Sequence, residues 1–126
     1  MTTTLDLDPV QEAALIAAQN DAFRRSILGK PPVADVPKGQ FVMTRGVASL
    51  GIDAQLELTR RVAAFDGFNA DTDPQGWHEM GVIDLDGTAV WFKVDLYDVD
   101  YTYGSPEPSD PEQTRRVLTL LLPSEY

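Results

Sequence analysis

An Asp86-Gly87 pair stands between two runs rich in apolar residues, and few short patterns limit a fold so tightly. The type I′ two-residue hairpin loop needs positive φ at both central positions, which Asp-Gly supplies at little strain. With that pair at the tip, strands run at about 80–85 and 88–97. Leu85 then opposes Thr88, Ile83 opposes Val90 and Gly81 opposes Phe92. Opposed residues share a face. Gly81, Ile83, Leu85, Val90, Phe92, Val94 and Leu96 form a core face. His78, Met80, Val82, Asp84, Ala89, Trp91, Lys93, Asp95 and Tyr97 form the other, mixed face.

The rest of the chain arranges itself around this hairpin. Asp8-Pro9-Val10-Gln11 reads as a helix opening with a capping residue, proline at the first helical position and a glutamine reaching back. Leu15, Ile16, Gln19, Ala22, Phe23, Ser26 and Ile27 follow at helical spacing, and Gly29 with Pro31-Pro32 ends the run, so a helix is expected at about 9–28. Phe41, Val42 and Met43 predict a short strand. Asp53 opens a second helix over about 53–66, closed by Gly67. Residues 98–113 are expected as a long loop punctuated by Gly104, Pro106, Pro108 and Pro111. Arg116–Leu122 reads as a buried strand, with a helix beginning at Asp110-Pro111 as its rival. The expected fold is a single α+β domain over 1–126: a small antiparallel sheet of about four strands with a central hairpin, packed on two helices. Residues 1–7 are expected to be a flexible start.

Several classes are set aside by composition. No cysteine is present among the 126 residues, which removes disulfide frameworks and thiolate zinc sites. No basic-then-apolar leader and no apolar run near membrane-spanning length is found, so a soluble, cytoplasmic protein is expected. The formal net charge is −10. Its placement is uneven: Val62–Thr114 carries twelve acids and only Lys93 as a base, while the remainder carries eight acids and nine bases. Such a block repels nucleic-acid phosphate and favours a basic partner surface.

Candidate chemistry lies within the same block. On the hairpin register His78 falls opposite Asp95, an imidazole–carboxylate pair of the kind a general base uses. With Glu79 and Asp98 it suggests a small metal-assisted hydrolase as an alternative reading. No second histidine, phosphate-binding loop, cofactor fingerprint or nucleophile elbow accompanies it, so no catalytic residue, cofactor or metal is assigned and the chain leans away from an enzyme. The aspartates at 84, 86, 95, 98 and 100 lack an EF-hand arrangement and read as a solvated rim. Eight of the eleven aromatics lie between Phe65 and Tyr103. Trp91, Tyr97, Tyr101 and Tyr103 among Asp98, Asp100 and Glu107 are therefore the candidate partner-binding residues, since aromatic anchors dominate protein interfaces. The doublets Arg24-Arg25, Arg60-Arg61 and Arg115-Arg116 are expected on solvated helix faces or in internal ion pairs.

In combination several segments resemble a family of short bacterial proteins, domain of unknown function 3768. They are Asn20–Arg25, Asp73-Pro74, His78–Gly81, Trp91–Asp98, Gly104–Pro106, Asp110-Pro111, Thr114–Thr119 and Glu125-Tyr126. Met80 and Leu96 stand where the family tends to have aromatics. The resemblance implies no known reaction. It implies a setting among accessory genes of plasmids and integrated elements. Joined to the acidic block, that setting predicts a non-enzymatic binding protein. Its form would be a nucleic-acid mimic or an anti-defence inhibitor, of CRISPR or restriction complexes, that occupies a basic groove on a protein partner. Neither direct nucleic-acid binding nor a membrane is expected.

Overall fold

A computed structural model describes residues 7–29 and 36–126. The first helix, α1 (Pro9–Ser26), begins as its sequence dictates. The Asp8 carboxylate accepts the Gln11 backbone N–H at 2.8 Å, and the Gln11 side-chain oxygen accepts the Asp8 N–H at 3.1 Å. This reciprocal cap satisfies two donors that a helix start leaves open. The helix ends two residues before the expected position. Pro31-Pro32 and residues 1–6 lie outside the described residues.

Strand β1 (Gly39–Met43) leads to a four-residue helix, α2 (Arg45–Ala48), which Thr44 caps by accepting the Val47 N–H at 3.3 Å. The sequence reading did not anticipate α2, because one helical turn carries no periodicity. Helix α3 (Ile52–Ala64) follows Gly51, whose φ of 99° suits glycine alone, so Asp53 sits in the first turn rather than at the cap. Its last turn stops at Ala64, before Gly67 is reached.

The hairpin forms with the expected register. Strands β2 (Met80–Leu85) and β3 (Thr88–Tyr97) pair Leu85 with Thr88, Ile83 with Val90 and Gly81 with Phe92. Asp86 and Gly87 take φ of 52° and 90°, the signature of the mirror-image turn that matches strand twist. The segment with the helix rival is a strand, β4 (Arg115–Leu121), antiparallel to β3. The sheet order is β1-β4-β3-β2. It is mixed, because β1 runs parallel to β4 while the other two pairings are antiparallel. The hairpin supplies one edge strand and one central strand. A short 3-10 turn at Pro123–Glu125 closes the chain.

All three helices contribute to one side of the sheet. Phe23 of α1, Val47 of α2, and Leu58 and Val62 of α3 are buried with Ile83, Val90, Phe92, Val94, Leu118 and Leu120. Each such side chain removed from water contributes roughly 1.5–3 kcal/mol. Phe92 lies edge-on to Phe65 at 5.1 Å, and any Cβ at position 81 would collide with both rings. Gly81 is thus required by aromatic packing rather than by a turn. No helix among the described residues is long and apolar enough to cross a membrane.

Candidate functional site

The strand pairings bring three segments to one end of the sheet. Tyr97 pairs with Arg115, so both ends of the 98–114 connection lie there. Gly39 pairs with Arg116 at the same end. The loop that precedes β2 arrives beside Lys93 and Val94. The middle of α1 crosses this end and touches both loops.

Beneath α1 runs a seam of buried polar groups: Asn20, Arg24, Asp73, Thr114 and Arg116. Arg116 is fully buried because alternation along β4 puts it on the face of Leu118 and Leu120. Its Nε donates to Asn20 Oδ1 at 2.6 Å and its Nη2 to Gln19 Oε1 at 2.9 Å. Burial lowers its pKa to about 10, so the guanidinium stays charged at neutral pH. Arg24 donates to the Val62 and Ala63 carbonyls, both at 3.1 Å, at the C-terminus of α3, where a cation complements the helix dipole. It also bonds Asp21 at 2.6 Å and lies over the Phe68 ring at 5.3 Å. Burial lowers its pKa, and Asp21 acts in the opposite direction.

His78 belongs to this seam. Its Nδ1 lies 3.0 Å from Asp21 Oδ1 and its ring stacks on Phe68 at 4.2 Å. The expected pairing with Asp95 does not form. His78 adopts φ of 56°, which leaves strand geometry two residues before the ladder begins at Met80, and the buried Asp73 carboxylate accepts the Trp77 and His78 N–H groups at 3.0 and 3.1 Å. Asp95 instead accepts a hydrogen bond from Lys93 at 2.5 Å. Glu79 is half-buried, and its pKa is raised by burial first and then by Asp73 and Asp95. An open groove of about 580 Å³ borders His78, lined by Pro9, Val10, Ala13, Ala14, Ala17, Gln75 and Gly76, with no nucleophile among them. Among the described residues no group of three or more His, Asp or Glu side chains is placed to hold a metal ion. His78 pairs with Asp21 and Asp95 with Lys93, while Glu79 lies near enough to Asp73 and Asp95 for their charges to act on it.

Above the seam, the 98–114 loop is tied down along its length. Tyr97 bridges to Gly104, and the Asp98 N–H reaches the Tyr103 carbonyl at 2.8 Å. The Asp98 carboxylate accepts from the N–H groups of Asp100 and Thr102. Thr114, fully buried, donates to the Glu107 carbonyl at 2.9 Å, and Gln19 of α1 donates to the Ser109 carbonyl at 2.8 Å. Tyr101 is held at φ of 58°. This rare backbone setting persists only where neighbours fix it. Tyr101 and Tyr103 are 36% and 74% exposed. Asp98, Asp100, Glu107, Asp110 and Glu112 make no ion pair among the described residues.

The candidate partner residues thus divide into two groups. Tyr97, Asp98, Asp100, Tyr101, Tyr103 and Glu107 gather at the loop. Trp91 lies six residues back along β3, about 20 Å away at 3.3 Å per residue. It pairs across the ladder with Leu121 and packs on Tyr126 at 5.4 Å. Asp21, Asn20, Arg24 and Arg116 were not singled out as a cluster by the sequence reading. The Asp21–Arg24 spacing on a helix and the alternation of β4 are the available signals for three of them; Asn20 has none.

Two-layer α+β packing, a buried polar seam and a tethered acidic loop define a small acidic domain built on one open sheet. The chain belongs to the family described as Protein of unknown function (DUF3768), which matches residues 43–125. The matched span takes in α2, α3, the hairpin and β4, and leaves out α1 with its Asn20–Arg25 segment. No curated protein and no solved structure matches the chain.

Proposed function

We propose that this domain is a non-enzymatic, acidic partner-binding protein that presents its 98–114 loop to a basic protein surface. The observation that carries this reading is a set of five carboxylates, Asp98, Asp100, Glu107, Asp110 and Glu112, without cationic partners among the described residues, on a loop fixed by internal hydrogen bonds. A fixed loop loses little entropy when it binds, and unpaired charge raises the rate of encounter with an opposite surface. The exposed rings of Tyr101 and Tyr103 supply the contact area that charge alone does not. A surface that ordinarily receives nucleic-acid phosphates is the complementary class, so the partner is a nucleic-acid-binding protein and the effect on it is inhibition. A host defence complex is one such partner.

The test is capture of partners from a lysate of the source cell on immobilised full-length protein, eluted in steps of rising salt. A basic protein released at moderate salt, and absent when Asp98→Asn, Asp100→Asn and Glu107→Gln are combined, is the expected result. Capture that is indifferent to both salt and the triple variant contradicts the proposal.

A further inference from the structure

The sheet has one face packed under the α-helices; the other carries no α-helix among the described residues and has the C-terminal segment at its Trp91 end, where Tyr126 meets Trp91 at 5.4 Å. Odd-numbered residues of β3, namely Trp91, Lys93, Asp95 and Tyr97, point to this open side. Across the ladder they are joined by Met80 and Val82 of β2, Val117 and Thr119 of β4, and Gln40 and Val42 of β1. Leu121, opposite Trp91, is the one buried residue among them; Val42 and Val82 remain 39% and 41% exposed. The two groups of candidate partner residues therefore lie on a continuous surface, with Trp91 at one end and Tyr97 leading into the acidic loop at the other.

We infer that this open face is the apolar half of the proposed interface, and that it receives a basic amphipathic helix of the partner. The inference rests on the partner-binding reading above. Dimensions favour a helix. Four strands at about 4.8 Å spacing make a floor roughly 14 Å wide, and a helix with its side chains is about 10–12 Å across. Chemistry favours one apolar stripe. Val42, Thr119, Met80, Val82 and Val117 offer a branched and sulfur-containing floor. Lys93 has its charge met by Asp95 at 2.5 Å and does not repel a cationic helix. Arg115, the other cation of this face, stands opposite Tyr97 at the loop end, where the acids of the loop outnumber it.

Charge sets the ends. Asp84 and Asp86 lie at the hairpin end of the floor, and Asp98 and Asp100 at the loop end, none of them in an ion pair among the described residues. A helix apolar on one stripe and lysine- or arginine-rich on its flanks matches this pattern. A second copy of this chain does not match it, because its net charge of −10 would set acids against acids.

The experiment follows backbone amide signals of the full-length, ¹⁵N-labelled protein during titration with two synthetic peptides of about 14 residues. One carries leucines at helical spacing among lysines. The other has the same composition shuffled to remove that period. The amphipathic peptide is expected to shift Val82, Lys93, Val117 and Thr119 as well as the loop, and to bind about tenfold more tightly. The shuffled peptide should shift the loop alone. Val42→Thr with Val82→Thr keeps the branched strand shape while removing apolar contact, and should abolish the difference between peptides without altering the shuffled one. Equal affinities with changes confined to the loop overturn the open-face inference and leave the acidic-loop reading standing. A loop unmoved by either peptide overturns both.

Discussion

Two polar regions share one end of this molecule and treat their charges in opposite ways. In the seam beneath α1, Arg24 and Arg116 are buried, and each donates to backbone carbonyl or side-chain amide oxygens from distant parts of the chain. In the loop above it, Asp100, Glu107 and Glu112 are exposed and meet no cation among the described residues. The two are connected through Gln19, which bonds Arg116 with its oxygen and the Ser109 carbonyl with its nitrogen. The contrast separates charge that builds the fold from charge that is left available. Net charge alone made no such distinction.

The doublet Arg115-Arg116 offers the sharpest way to break this contrast. Arg116→Ala removes the donor to buried Asn20 and opens a cavity, and should destabilise the domain by about 3 kcal/mol or more. Arg115→Ala, one residue earlier on the open face, should change stability by no more than about 0.5 kcal/mol. Urea unfolding of the two variants decides it, and similar losses would erase the distinction between seam and surface.

Asp73 tests the seam from the loop side. Its carboxylate holds the Trp77 and His78 N–H groups, so Asp73→Ala should lose about 2 kcal/mol, again by urea unfolding, through donors left without partners. An unchanged stability would mean that the backbone turn at His78 holds itself.

Much of this architecture was legible in the sequence, for reasons that can be located. The α1 cap and the hairpin register depend on residues within a few positions of one another, and both formed as their chemistry requires. The parallel pairing of β1 with β4 was not legible, since it joins Gly39–Met43 to residues about 77 positions later and no local signal fixes the direction of an edge strand. His78 illustrates the same limit at the candidate site. Extending the ladder by alternation puts it beside Asp95, but the Asp73 carboxylate captures its backbone and turns the ring toward Asp21, 57 residues away in sequence. Arg116 was legible in principle, because alternation with Leu118 and Leu120 assigns it to the core, yet as half of a doublet it reads as solvated or ion-paired charge, and its partners are the neutral amides of Asn20 and Gln19.

Glu79 sharpens the comparison with a smaller effect. Its pKa is raised above the ordinary carboxylate value of 4.5, by burial and by Asp73 and Asp95. A raised folded pKa means that the protonated form is favoured by folding. The associated stability is present below about 4.5 and is lost as pH rises through the folded value. Glu79→Gln should therefore raise the melting temperature at pH 7 and leave it nearly unchanged near pH 4. A variant less stable at pH 7 would show that the carboxylate has a favourable role there.

The smallest effect on stability should come from the loop, and it bears on the central claim. Combining Asp98→Asn, Asp100→Asn and Glu107→Gln should leave thermal unfolding within about 1 kcal/mol of wild type, because Asp100 and Glu107 are exposed and an amide oxygen at 98 still accepts the Asp100 and Thr102 N–H groups. Binding should respond strongly. Raising ionic strength from 0.1 M to 1 M shortens the screening length from about 10 Å to about 3 Å. The most direct measurement is the association rate of wild type and triple variant with the protein captured from lysate, at those two ionic strengths. The account predicts a wild-type rate that falls by about tenfold or more with salt, and a triple variant that is already slow at low salt and nearly insensitive to it. Equal rates for the two proteins at both ionic strengths would contradict it, and the loop carboxylates would then be solvated surface with no part in recognition.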